Sequence, residues 1–169
     1  MSMPREEQIE KRPLGAERPF PWRCRHCGEL AVVPKRVDYQ DEVRYDGRLV
    51  SFLARNIEIP NCQNCGEKVF TEIVDDQLTA SLREHLNLLT PEQIREGIER
   101  LGMSQKVVAD RLGIAENELW RWANDISIQS RAMDNYLRVF FQFPQVREML
   151  STPPIEANLG TIGMPHAAT

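Results

Sequence analysis

Met103–Asp125 reads MSQKVVADRLGIAENELWRWAND, and this stretch decides the fold of the C-terminal half. Its apolar residues fall at Val108, Leu112, Leu119 and Trp122, with Ala109 and Gly113 at the two places where bulk would obstruct. Two short helices meeting steeply need a small residue where their backbones approach and a residue tolerant of positive φ where the chain turns. Ala109 and Gly113 supply the two, so the spacing predicts a helix-turn-helix. Ile114 is expected to plug the turn, and Leu119 and Trp122 to anchor the second helix. In such units the second helix enters the DNA major groove, which makes Glu116, Asn117, Trp120, Arg121 and Asn124 the residues expected to reach bases. A helical hairpin in another all-helical core shares the apolar spacing. The order SQ, Ala, LG, an aliphatic residue and RW at fixed offsets is narrower.

Working outward, Thr90-Pro91-Glu92-Gln93 is a helix start with Thr90 as N-cap, Pro91 at N1 and Gln93 placed to close a capping box. The helix it opens turns Ile94, Ile98 and Leu101 inward and stops at Gly102. Ser104 caps the next helix and puts Gln105 and Lys106 in its first turn, where backbone amides and polar side chains can meet phosphate. On the far side, IQSRAMDNYLRVFFQF predicts a fourth helix with Met133, Leu137, Phe140 and Phe141 inward, and FPQVREML a fifth. Residues 90–150 therefore read as a five-helix domain, with Phe140, Phe141 and Phe143 divided between its core and a dimer contact.

The N-terminal half has a different character. Cys24-x2-Cys27 and Cys62-x2-Cys65 hold every cysteine of the chain, and each pair is followed by glycine, Gly28 or Gly66. Two such turns complete a tetrahedral thiolate site, so the four cysteines are read as ligands of one structural zinc ion. Four thiolates close the coordination shell, which excludes a metal-bound water for catalysis. The 34 residues from 28 to 61 exceed the loop of a zinc ribbon. Their β-branched and aromatic residues, with Asp46-Gly47 between Tyr45 and Arg48, predict a β-hairpin inserted between the knuckles. His26 lies inside the first knuckle, but the four-thiolate set is complete without it. KVFTEIVDDQLTASLREHLN then passes from a short strand into a helix with Leu78, Leu82 and Leu86 on one face. The expected division is a disordered arm over 1–21, a zinc domain over 22–75, a connecting helix over 76–89, the helix-turn-helix domain over 90–150 and a flexible tail over 151–169.

Lys and Arg number 21 against 25 Asp and Glu, a net charge of −4. From Thr90 to Thr152, eight basic residues face nine acidic ones. DNA affinity would thus come from the local placement of Gln105, Lys106, Arg111, Arg121 and Arg131, not from a basic field. A charged N-terminus and the lack of any long apolar run exclude a signal peptide and a membrane helix, so the cytoplasm is expected.

The order of a four-cysteine zinc domain and a lambda-repressor-like (Xre family) helix-turn-helix resembles the MqsA-type, or YgiT-type zinc-finger, antitoxins. The likeness is carried by CRHC, VRYDGRLVSFL, NCQNCGE, LTPEQI, LGMSQKVVADRLGI, ENELWRW and YLRVFFQFPQVREML, covering about Cys24 to Leu150. The fold it implies is α+β. It also implies a zinc domain that docks on and neutralises a toxin protein, and a homodimer that binds a palindromic double-stranded DNA operator and represses its own operon. The family's base-reading asparagine and arginine fall on Asn117 and Arg121. That spacing makes independent sense, because residues four apart share a helix face, Asn pairs with adenine and Arg with guanine.

The chain departs from the family pattern at Glu116 and Glu118, at Ala115 where a Ser or Thr cap is usual, at Trp120 where a small polar residue is common, and at Asp125 in place of a C-cap glycine. No catalytic constellation is visible: no Ser or Cys beside a base, no open metal shell, no phosphate-cradling glycine loop. A non-enzymatic regulator is therefore expected. A zinc-stabilised adaptor without sequence-specific DNA binding is the alternative, and a CxxC oxidoreductase a third reading.

Overall fold

The computed structural model describes residues 19–151. The arm and tail expected from the sequence lie outside them apart from 19–21 and 151. The element order is β1 (Trp22–Arg23), β2 (Leu30–Tyr45), β3 (Arg48–Cys62), then α1 (Glu72–Leu86), α2 (Pro91–Arg100), α3 (Gln105–Leu112), α4 (Glu116–Ala123), α5 (Arg131–Gln142) and α6 (Pro144–Met149). The architecture is α+β, a three-stranded antiparallel sheet in the order β1-β2-β3 followed by helices. Among the described residues two compact units result, one formed by residues 19–43 with Leu49–His85, the other by Arg44–Arg48 with residues 86–151.

In the first unit, β2 and β3 are joined at Asp46 (φ 49°) and Gly47 (φ 75°). Positive φ at both central residues is the type I′ geometry that matches the twist of paired strands. Along β3 the buried residues run Phe52, Ala54, then Ile57, Ile59. The two-residue alternation slips by one between Ala54 and Ile57, where Asn56 takes φ 53°. Asp38 of β2 secures the irregularity by accepting the Asn56 N–H at 2.9 Å. A one-residue insertion of this kind keeps the apolar set on one face along a strand too long for a single pleat phase.

Gln77 of α1 completes the edge. Its Oε1 accepts the Glu58 N–H at 2.8 Å, and its Nε2 donates to the Glu58 carbonyl at 3.1 Å. One side chain thus occupies backbone groups of β3 as a neighbouring strand would. The helix expected over 76–89 runs instead from Glu72 to Leu86. Thr71 accepts the Val74 N–H on its hydroxyl and the Asp75 N–H on its carbonyl, starting the helix early, and Asn87 (φ 50°) ends it.

The second unit has the five helices α2–α6 around Leu89, Ile94, Ile98, Val108, Leu112, Leu119, Trp122, Leu137, Phe140 and Phe141. Thr90 and Gln93 form a reciprocal capping box, and Ser104 and Ser130 accept the N–H groups of Val107 and Met133. Gly113 (φ 68°) makes the turn between α3 and α4, with Ile114 packed against the core. Asp125 (φ 59°) occupies the left-handed position after α4, and the Ile126 N–H returns to the Arg121 carbonyl at 2.9 Å. That closure is a Schellman-type end made without glycine.

A buried carboxylate organises the polar interior of this unit. Asp134, fully buried, accepts the Leu89 N–H at 2.7 Å and Gln129 Nε2 at 3.1 Å on Oδ1, and Arg138 Nε at 2.7 Å on Oδ2. Gln129 also donates to the Leu89 carbonyl at 2.8 Å. The hairpin tip belongs here: Tyr45 donates to the Gln129 carbonyl, and Asp46 accepts the Arg131 N–H at 2.7 Å, satisfying a first-turn amide of α5.

Candidate metal centre and candidate nucleic-acid face

The two knuckles are built alike. In the first, Cys24 N–H donates to the Glu29 carbonyl at 2.7 Å and Gly28 N–H to the Cys24 carbonyl at 3.0 Å. In the second, Cys62 N–H donates to Glu67 at 2.8 Å and Gly66 N–H to Cys62 at 2.8 Å. Gly28 and Gly66 both have φ 79°, a conformation that glycine adopts without strain. The repeated turn directs two thiols from each knuckle at one point. All four sulfurs, of Cys24, Cys27, Cys62 and Cys65, lie within 4.8 Å of one another. Across the knuckles, Cys24 Sγ is 3.6 Å from Cys65 Sγ and Cys27 Sγ is 3.6 Å from Cys62 Sγ. Sulfurs at the corners of a tetrahedron with arms of about 2.3 Å stand about 3.8 Å apart, so the spacing suits one metal ion with thiolate ligands.

Cys24 and Cys62 are buried among Val32, Trp22, Ala31 and Val69, whereas Cys65 is exposed. The Cys27 thiol is lowered to about 6, first by the Glu29 backbone amide and then by the Asn64 side chain. Asn64 is one of the two variable positions of the Cys62-x2-Cys65 knuckle, where the motif specifies only the cysteines. At Cys65 the Glu67 amide also lowers the pKa, but desolvation and the neighbouring Cys62, Cys24 and Cys27 thiols outweigh it and push it up to about 12. Four sulfurs this close cannot all ionise without a cation among them, which is the chemistry of a soft divalent ion site.

On the second unit, α4 buries Leu119, Trp122 and Ala123 and exposes Glu116, Asn117, Glu118, Trp120 and Asn124, with Arg121 half-buried. The side chains of Asn117 and Arg121 make no hydrogen bond or ion pair among the described residues. Trp120 is 44% exposed, large for an indole with no place in the core. Asn124 is partly committed, since its amide nitrogen donates to the Trp120 carbonyl at 2.8 Å. Ala115 stands at the N-cap of α4 and contributes no side-chain bond.

The α3 residues are less available than their sequence position suggests. Gln105 is half-buried and donates to the Glu116 carbonyl at 3.4 Å, bracing the start of α4. Lys106 is held by Asp110 at 2.9 Å, and that hydrogen bond and charge raise its pKa. The spacing of Lys106 and Asp110, four apart on α3, was the signal for this pair.

No family model matches the chain. No curated protein matches it either. Among solved structures the chain is similar to a candidate DNA-binding protein from Nitrosomonas europaea, with 13% identity over 65% of this chain and 88% of that chain and a TM-score of 0.34. A score of that size marks a partial likeness, and the functional reading rests on the residues of this chain. Among the described residues no helix is long and apolar enough to cross a membrane.

Proposed function

We propose that the protein is a sequence-specific DNA-binding transcriptional regulator of the MqsA-type antitoxin kind, not an enzyme, with a four-cysteine zinc site that holds its N-terminal unit together. The observation that carries this reading is the exposed face of α4. Asn117, Trp120, Arg121 and the C-cap Asn124 stand at i, i+3, i+4 and i+7 along α4, whose opposite face is buried and which follows the Ser104-capped α3 after the turn at Gly113. An α-helix presenting this face fits the major groove; Arg121 would pair with guanine, Asn117 with adenine, and Trp120 would touch a thymine methyl. A lambda-repressor-like domain of this kind works as a homodimer on a palindromic operator, its half-sites about one helical turn apart. In this reading the protein acts in the cytoplasm, represses its own operon, and uses the zinc unit to engage a partner, a toxin where one is encoded beside it.

The test is a gel shift of the full-length, metal-loaded protein on double-stranded DNA from upstream of its own reading frame at two salt concentrations, with Asn117→Ala/Arg121→Ala as control. Specific binding that weakens with salt and is lost in the control is the expected result. Absence of binding at both salt concentrations overturns it in favour of the zinc-stabilised adaptor. One observation favours that second reading: Glu116 and Glu118 are exposed where phosphates would approach, and Lys106 is already paired with Asp110.

A further inference from the structure

The first unit carries an apolar groove of about 860 Å³ beside the first knuckle. Val32 and Val69 line it together with Trp22, while Phe70 and Ile73 border it although 48% and 53% exposed. Two large apolar side chains left this open at the edge of one groove make a patch of the kind that marks an interaction site. Charge is unevenly placed around it. The knuckle wall carries Arg23, Arg25 and His26 with no acidic residue between Trp22 and Gly28, and Lys68 adds a third cation across the groove. Glu67 and Glu72 are the acidic lining residues, and both come from the opposite wall.

We infer that this groove is a docking site for a peptide segment of a partner protein that bears an aliphatic or aromatic anchor flanked by acidic residues. The anchor would sit against Val69, Phe70 and Ile73, and the acidic residues would lie over Arg25 at the knuckle wall. The groove's chemistry favours a peptide over single-stranded nucleic acid. Val32, Val69 and Ile73 offer aliphatic surface that suits a side-chain anchor, and of the aromatic lining residues Trp22 already stacks on Phe20 at 4.2 Å between ring centres, which takes it out of use as a base-stacking platform. This rests on the reading of the zinc unit as the partner-binding half, and it is separable from operator binding because no α3 or α4 residue takes part.

The test uses the full-length, metal-loaded protein and fluorescence polarisation with a panel of short labelled peptides. Each has one leucine or phenylalanine whose flanking positions are all glutamate, all serine or all lysine; a labelled oligothymidine is the nucleic-acid probe. The expected order of affinity is glutamate, then serine, then lysine. Ile73→Glu should weaken the glutamate peptide about tenfold or more, the usual scale for losing an anchor contact. Arg25→Glu should remove the preference for glutamate over lysine while metal content, circular dichroism and the operator gel shift stay unchanged. Equal binding of the three peptides, no saturable binding of any, tighter binding of the oligothymidine, or an Ile73→Glu variant that binds normally would each overturn the proposal. A protein that fails in the gel shift but ranks the peptides as stated would refute the repressor reading and leave this site standing.

Discussion

Tyr45, at the tip of the hairpin, donates its hydroxyl to the carbonyl of Gln129 at 3.0 Å, across 84 residues of sequence. The same Gln129 donates its amide to Asp134 and to the Leu89 carbonyl, so the tip joins the polar interior of the helical unit. Burial, followed by the nearby Asp46 carboxylate, pushes the Tyr45 phenol up to about 12 from its usual 10. A phenol whose folded pKa is raised binds its proton more tightly in the native state. Its contribution is therefore complete below pH 10 and is lost as pH climbs from 10 towards 12. Urea unfolding monitored between pH 9 and 12 should show stability falling through that window. Tyr45→Phe should be less stable by about 1 kcal/mol at pH 8, the net worth of one hydrogen bond, and should lose this part of the alkaline slope.

Asp134 is the group on which that interior depends. Its carboxylate is fully buried and engages Arg138, Gln129 and the Leu89 amide. Removing it strands the buried Leu89 N–H, while Gln129 keeps the Leu89 carbonyl and the partly exposed Arg138 keeps the Asn87 carbonyl. Asp134→Ala should cost about 1–3 kcal/mol, the penalty for leaving a buried donor unsatisfied. Denaturant unfolding followed by tryptophan fluorescence from Trp120 and Trp122 would measure it, and a loss below about 1 kcal/mol would show that the network tolerates the missing acid.

Gly97 of α2 faces the Phe141 ring of α5 so closely that an added Cβ would stand 2.7 Å from Cδ2 and Cε2. Alanine is the better helix former by about 1 kcal/mol, but overpacking costs about 1–3 kcal/mol. The clash is with the body of a ring, not a flexible tip, so Gly97→Ala should destabilise the helical unit. Gly97→Ala combined with Phe141→Leu should recover part of the loss, giving a favourable coupling energy in a double-mutant cycle.

What the sequence made legible is what local chemistry decides. The capping box at Thr90 and Gln93, the Ser104 cap, the Gly113 turn and the Asp46-Gly47 hairpin each depend on a few adjacent residues, and all are present. The four thiols meet because each knuckle is a local turn with its own glycine. Three features escaped because their meaning lies in a distant partner. Asp134 looks like an ordinary first-turn acid of α5, and only the Leu89 amide, 45 residues away, makes it a structural centre. Gln77 reads as a polar helix residue until Glu58 lies beside it. Asn56 breaks the alternation of β3 in a way that strand periodicity cannot anticipate, because the bulge is held by Asp38 of the other strand.

Removal of the metal should act mainly on the first unit, whose knuckles are secured by little apolar core beyond Val32 and its neighbours. Cys62→Ser should lose the ion and the ordered knuckles, while calorimetry still shows a melting transition for α2–α6. Acid should have the same effect, since protons compete with the metal for thiolate. The Asn64 side chain helps hold the Cys27 thiol low. Asn64→Ala should raise that pKa, so the metal leaves at a higher pH and binds about tenfold more weakly. A chelator competition across pH 5–8 reads both effects, and an unchanged release midpoint would remove Asn64 from the site.

The balance of charge around α3 and α4 gives the sharpest test of how this near-neutral unit would hold DNA. Arg121 has no ionic partner among the described residues, whereas Lys106 is held by Asp110 at 2.9 Å. If the α4 face reads bases, Arg121→Ala should cost about 1–3 kcal/mol on the operator and abolish discrimination at one base pair, with little change on unrelated DNA. Asp110→Ala should do the reverse. It frees the Lys106 ammonium for phosphate, so operator and unrelated DNA should both bind more tightly, and the slope of log affinity against log salt should steepen by about 1. An exposed i,i+4 pair contributes only about 0.3–0.5 kcal/mol to stability, so the fold should survive the change. Opposite signatures from two residues on neighbouring helices would separate base reading from phosphate anchoring. Equal, salt-independent behaviour of both variants would place the function of this unit elsewhere than on DNA.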